Sequence, residues 1–99
     1  MTKQSRQPAV YITANKRNGT LYTGVTSNLV QRIWQHKEKA VSGFSEKYAC
    51  DRLVYFVVCE TMEQAIAEEK RIKGGSRNKK LALIETINPN WNDLYDDIV

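Results

Sequence analysis

The chain has 99 residues, 41% of them hydrophobic, and a formal charge of +4. That length supplies one hydrophobic core and predicts a single domain over residues 1–99, with a core at about 8–92. No apolar run approaches the roughly 18 residues of a membrane span, and the first residues lack the apolar segment of a secretory leader. The expectation is a cytoplasmic protein with no membrane partner.

Residues up to Pro8 read as a frayed lead-in. Val10-Tyr11-Ile12-Thr13 and Leu21-Tyr22-Thr23-Gly24-Val25 are β-branched and aromatic runs that predict two strands. Between them Asn15-Lys16-Arg17-Asn18-Gly19 supplies turn residues, with Asn18-Gly19 suited to positive φ. A two-residue turn at Asn18-Gly19 sets Tyr22 opposite Asn15; a longer loop tipped at Lys16-Arg17 sets it opposite Tyr11. Side chains alternate along a strand, so either register puts Tyr11 and Tyr22 on one face. Such a pair is more often cross-strand packing than chemistry.

Thr26-Ser27-Asn28 offers N-caps to a helix running from Leu29 to about Ala40. Leu29, Ile33 and Ala40 share a stripe, His36 lies at its edge, and Arg32 neighbours His36 one turn earlier. A loop anchored by Phe44 follows. Leu53–Cys59 is then nearly all apolar, which predicts a strand covered on both faces and therefore central in its sheet. Cys50 and Cys59 have neither zinc nor CxxC spacing and read as thiols in a reducing compartment.

Thr61 with Gln64 forms a capping box, opening a helix that Gly74 closes. Met62, Ala65, Ile66 and Ile72 define an apolar stripe whose centre falls on Glu69. A carboxylate there costs on the order of several kcal/mol of desolvation unless something pairs with it. An ion pair with Arg32 or Lys73 answers that cost; so does a metal or a catalytic role at the rim of a cleft. The basic and phenolic company favours the second reading, and Glu68 reads as a solvent-facing neighbour.

Ser76 caps a third helix, with Leu81, Leu83, Ile84 and Ile87 on its apolar side. Its first turn is basic, against the helix dipole, so helix stability does not account for the charge. Lys70, Arg71, Lys73, Arg77, Lys79 and Lys80 fall within eleven residues. Such a stretch suits a phosphate backbone, the alternative being a solvated helical face. Asn88-Pro89-Asn90-Trp91-Asn92 ends the helix, and the acidic tail from Asp93 predicts a short last turn.

The order is β-β-α-β-α-α, carrying Tyr, Tyr, Arg, His and a misplaced Glu. In this it resembles the GIY-YIG nuclease family. Ala9-Val10-Tyr11 matches the first motif and Tyr22-Thr23-Gly24 the second, with ten residues between the tyrosines. Arg32 lies eight residues after Gly24, as the family's helix arginine does, and Glu69 stands where the family places its metal-binding glutamate. Ala9 and Thr23 depart from the name motif, outside the phenols. The family's late asparagine has two candidates, Asn88 and Asn92; the Pro89-x-Trp91-Asn92 spacing is closer to the C component of excinuclease ABC. The likeness is to small stand-alone bacterial members and to that component's N-terminal nuclease domain.

The resemblance implies an α/β (α+β) fold: a small three-stranded, largely antiparallel sheet flanked by helices. It implies a divalent-metal-dependent endonuclease that hydrolyses DNA phosphodiester bonds, with repair or recombination as its setting. Branched or damaged DNA is a candidate substrate, and a protein partner a candidate source of specificity. One Mg²⁺ or Mn²⁺ ion would sit on Glu69, and Arg32 would neutralise the scissile phosphate. Tyr11 and Tyr22 would divide the activation and orientation of water, helped by His36, the metal or the adjacent cation. Asn88 or Asn92 would position a tyrosine or the phosphate. The alternative is a nucleic-acid-binding module of the same fold that barely cuts or needs a partner. A protein-interaction domain using the acidic tail is a third reading.

Overall fold

Ala9–Ala14 (β1) is buried along its whole length, because it pairs antiparallel with a strand on each side. The computed structural model describes residues 7–38 and 48–99. The lead-in before Gln7, the helix end near Ala40 and the Phe44 loop lie outside the described residues. The neighbours of β1 are β2 (Leu21–Thr26) and β3 (Arg52–Val58), giving the sheet order β2-β1-β3. Helix α1 (Leu29–Lys37) lies between β2 and β3 in the chain; α2 (Met62–Lys73), α3 (Arg77–Ile87) and the one-turn α4 (Tyr95–Ile98) follow β3. The three-stranded antiparallel sheet with helices is the expected α+β fold. None of the described helices is long and apolar enough to cross a membrane.

The position of β3 corrects the sequence reading, which made it central. It is an edge strand, and the central place belongs to β1. The edge is nevertheless covered. Asn88 Nδ2 donates to the Val54 carbonyl at 3.1 Å, Leu94 N to the Leu53 carbonyl at 2.8 Å, and Leu53 N to Asp93 Oδ1 at 3.2 Å. The C-terminal segment thus stands in for a fourth strand, and an edge so protected can be as apolar as a central strand. A bulge between Ile12 and Thr13, with Val54 as the extra residue, bends β3 locally.

The hairpin takes a register between the two expected ones, with Tyr22 opposite Thr13 and Gly24 opposite Tyr11. Asn15 and Thr20 close a loop of Lys16–Gly19, and Asn15 Oδ1 accepts from Thr20 N at 2.9 Å. Asn18 adopts φ 58°, the left-handed conformation its residue type tolerates. At Gly19 a Cβ would lie 2.0 Å from Asn15 Oδ1, so the side chain that braces the loop requires a glycine there. All three registers share one parity, so both phenols still occupy one face.

Each face of the sheet has its own core. Val10, Ile12, Ala14, Val54 and Tyr55 pack against Ala65 and Ile72 of α2, Ile84 of α3, and Trp91. Tyr11 and Leu53 pack against Ile33 of α1, with Tyr22, Phe56, Tyr95 and Ile98 partly buried around them. Trp91 is wholly buried at φ 57°, and its indole donates to Glu85 Oε2 at 3.2 Å. Ile87, expected on the apolar side of α3, is exposed at the last position of that helix.

The caps follow the sequence. Asn28, Thr61 and Ser76 accept from the backbone N–H three residues on, in α1, α2 and α3 respectively. Gln64 reaches back to accept from the Glu60 N–H at 3.1 Å, one residue beyond the N-cap N–H of the standard box. Lys37, at the end of α1, pairs with Asp93, donates to the Asp51 carbonyl at 3.1 Å and lies 5.2 Å over the Tyr95 ring. Burial raises the Asp93 pKa, but the Lys37 ammonium and the Tyr95 and Leu53 N–H groups outweigh it and hold the carboxyl below its usual range.

Candidate active site

The face of β1 that carries Tyr11 is where the chemistry gathers. The Tyr11 hydroxyl and His36 Nε2 are 2.9 Å apart in a buried hydrogen bond. Three rings cluster around it: Tyr11 and Tyr22 centroids are 6.3 Å apart, Tyr11 and His36 5.5 Å, and Tyr22 and His36 5.3 Å. Alternation along the hairpin supplies the two phenols, and the second turn of α1 supplies the imidazole.

Local electrostatics keep this pair neutral. Burial, the first cause, together with Tyr22 and Glu69, outweighs the opposing Arg32 charge and holds the Tyr11 phenol well above its usual range. Burial and then Arg32 push His36 down to about 4, against a smaller contribution from Asp51. Arg32 and Glu69 are therefore both electrostatic neighbours of Tyr11, although they arrive on different helices. Arg32 is half-buried on α1, one turn before His36.

Glu69 has a side chain only 13% exposed, as its place in the apolar stripe of α2 required. Its ion partner is Lys73 at 2.7 Å, not Arg32. Glu68, expected to face solvent, is half-buried and pairs with Arg71. Among the described residues no three His, Cys, Asp or Glu side chains gather to form a metal cage. What Glu69 offers is one carboxylate that already holds a cation, the Lys73 ammonium. A single carboxylate suits a hard divalent ion that keeps water and phosphate oxygens as its other ligands.

Asn88 is 4% exposed, and its amide is committed to backbone: Val54 O, Asn92 O at 2.8 Å, and Asn92 N at 3.0 Å. It braces the turn that covers β3. Asn92 is exposed and contributes backbone to that brace. Of the basic set, Lys70 and Lys79 are exposed, Arg71 and Lys73 pair with Glu68 and Glu69, and Arg77 and Lys80 hold backbone. Arg77 donates to the Asn18 and Gly19 carbonyls at 2.8 and 2.7 Å, and Lys80 to the Gly75 carbonyl at 2.9 Å. These tertiary contacts account for two cations that helix α3 alone did not explain. Lys80 also adds positive charge at the C-terminal end of α2.

Two site features escaped the sequence reading. Thr13, opposite Tyr22, is fully buried with a hydroxyl that has no hydrogen-bond partner among the described residues. Gly24 is the second: a Cβ on it would lie 2.5 Å from both Cζ and the hydroxyl of Tyr11. Its signal was present, since glycine inside a strand marks a close approach. Gly24→Ala must therefore displace the ring that carries the hydrogen bond to His36. Overpacking of this kind costs about 1–3 kcal/mol, which lowers Tm by roughly 4–8 °C per kcal/mol in a domain of this size. A thermal melt of the variant reads that shift; an unchanged Tm would mean that the ring is not held against the strand.

The comparisons with known proteins agree with the fold. The model of the GIY-YIG catalytic domain matches residues 7–82. A UPF0213 protein of Clostridium perfringens is 38% identical over 77 residues, covering 78% of this chain and 82% of that one. A UPF0213 protein of Staphylococcus haemolyticus is 39% identical over 80 residues, covering 77% and 92%. The solution NMR structure of a UPF0213 protein from Bacillus halodurans aligns with a TM-score of 0.55 at 26% identity, covering 88% of this chain and 92% of that one.

Proposed function

Because the chain belongs to the GIY-YIG family, whose catalytic domain is a nuclease-type fold, we propose that it is a divalent-metal-dependent endonuclease acting on DNA phosphodiester bonds. Repair or recombination is its proposed setting, with branched or damaged DNA as the substrate. The observation that carries the reading is the buried Tyr11–His36 hydrogen bond, with Tyr22 against both rings and the charges of Arg32 and Glu69 bearing on Tyr11.

Glu69 would hold the metal, whose contribution there would be Lewis-acid stabilisation of negative charge on the phosphate. Arg32 offers fixed guanidinium donors to the phosphate and opposes negative charge building there. Tyr11, kept protonated by burial, is no standing phenolate. It takes a proton from the attacking water as its own proton passes to His36 Nε2. Negative charge growing at the phosphate favours the imidazolium that results. Tyr22 orients the water. Lys70 and Lys79 are exposed and open to phosphate contacts; Asn92 is the asparagine whose side chain is not committed to the fold.

One observation favours the second reading, a binding module that barely cuts: the Lys73 ammonium already occupies Glu69. A cleavage assay separates the two. Labelled branched, single-stranded and duplex DNA is incubated with the protein and Mg²⁺, Mn²⁺ or EDTA. Products that need metal and co-purify with the protein are expected. Salt-sensitive binding without turnover would establish the binding module instead.

A further inference from the structure

A groove of about 650 Å³ lies away from the tyrosines. It opens at the tip of the β1–β2 hairpin, against the first turns of α3, and is lined in part by Asn15, Lys16, Thr20, Arg77 and Lys80. Residues 58 and 59 positions apart in the chain meet there, where Arg77 clasps the Asn18 and Gly19 carbonyls. Among the described residues its lining has three cations, Lys16, Arg77 and Lys80, and no carboxylate. Arg17, at the hairpin tip, is a further exposed cation, whereas Lys79 of α3 lines a separate groove between α2 and α3.

This arrangement has a physical sense that the sequence did not disclose. The clasp costs Arg77 none of its charge, because carbonyls are neutral acceptors. The first turn of α3 adds the positive end of its dipole to the same place. Basic side chains there weaken the helix, yet the fold gathers more of them from the hairpin tip. A patch of one sign, lining a concave surface, concentrates field and attracts a polyanion. Leu21 lines the groove and packs on the α2 and α3 side of the sheet, whereas its chain neighbour Tyr22 belongs to the ring cluster on the α1 side. The groove and the candidate active site therefore meet at the hairpin-tip end of β2 from opposite faces of the sheet.

We propose that this groove binds the phosphate backbone of the nucleic acid flanking the bond to be cut, with Lys16 and Arg17 of the hairpin tip as phosphate contacts beside Arg77 and Lys80. The proposal rests on the endonuclease reading for the identity of its ligand. Phosphate contacts supply affinity and position without reading sequence.

The test is binding of a fluorescein-labelled DNA duplex in EDTA across a salt series. Wild type is compared with Lys16→Ala, Arg17→Ala and their double variant, each checked for an unchanged thermal melt. Arg77 is left intact because its guanidinium holds the hairpin. The slope of log K against log salt is expected to shrink by about 0.9 for each phosphate that a variant no longer neutralises. The double variant should show close to twice the change of either single one. An unchanged slope in all three, or wild-type binding that does not respond to salt, would overturn the proposal. Binding in EDTA involves no turnover. A protein that never cuts but loses slope in these variants keeps the groove and loses the nuclease reading, and the reverse outcome is equally visible.

Discussion

Glu69→Ala is expected to abolish metal-dependent cleavage, a loss of at least roughly 100-fold in rate, while the folded state stays within about 1 kcal/mol of wild type. The two halves of this expectation have separate causes. Glu69 sits in the apolar stripe of α2 with a side chain 13% exposed, so holding its charge there costs desolvation. Its partner Lys73 is 53% exposed, and an i,i+4 pair of that kind returns only about 0.3–0.5 kcal/mol. Removing the carboxylate also leaves no charge stranded, because the lysine is free to turn into water. A structural bracket behaves otherwise: losing one partner of a buried, fully enclosed ion pair costs about 3–5 kcal/mol. Cleavage by gel and thermal melting by circular dichroism, on one preparation of each protein, read both halves. Full cleavage by the variant would remove Glu69 from the chemistry. A fall in Tm of more than about 10 °C would make it a structural bracket instead.

How far such roles could be read beforehand depended on what each residue reports. Parity along the hairpin placed Tyr11 and Tyr22 on one face whatever the turn, since every plausible register shared it. The stripe of α2 exposed Glu69 as misplaced because helical periodicity is a local property. Thr61, Asn18 and Ser76 were legible for the same reason: caps and positive φ depend on a few neighbouring residues. The partner of Glu69 was narrowed to two cations, and only the three-dimensional structure chose Lys73 over Arg32. The place of β3 was misread because an apolar run reports coverage and not neighbours. Asn88, Asp93 and Leu94 cover the β3 edge from 34 to 41 residues downstream. Nothing local marks a side chain amide as a backbone brace. Arg77 is the same case: its basic character was evident, but its clasp on the hairpin tip is a contact between distant segments. Trp91 was read as part of a turn, and its fixed place in the core depends on a left-handed backbone that no propensity favours for tryptophan.

Tyr11→Phe is the variant that separates a relay from a phenolate. It keeps the ring seated against Gly24 and removes only the hydroxyl bonded to His36, so cleavage should fall by roughly 100-fold or more. Wild-type pH dependence then tells which proton moves. A standing phenolate on Tyr11 predicts a rate rising tenfold per pH unit through pH 7–9, because burial holds that phenol well above its usual range. A relay to a neutral His36 predicts a rate that is flat over that interval, with an acid limb near 4 where the imidazole protonates in the folded protein. Stability supplies an independent reading of the same histidine. Its folded pKa of about 4 lies below the unfolded value of about 6.5, so between them the unfolded chain binds the proton and the folded one does not. Tm should therefore fall as pH drops from 6.5 towards 4 and level off above 6.5, and His36→Gln should remove that dependence. A rate that rises as pH falls through about 6.5, with no such loss of Tm, would place a protonated imidazole in the working site and end the relay.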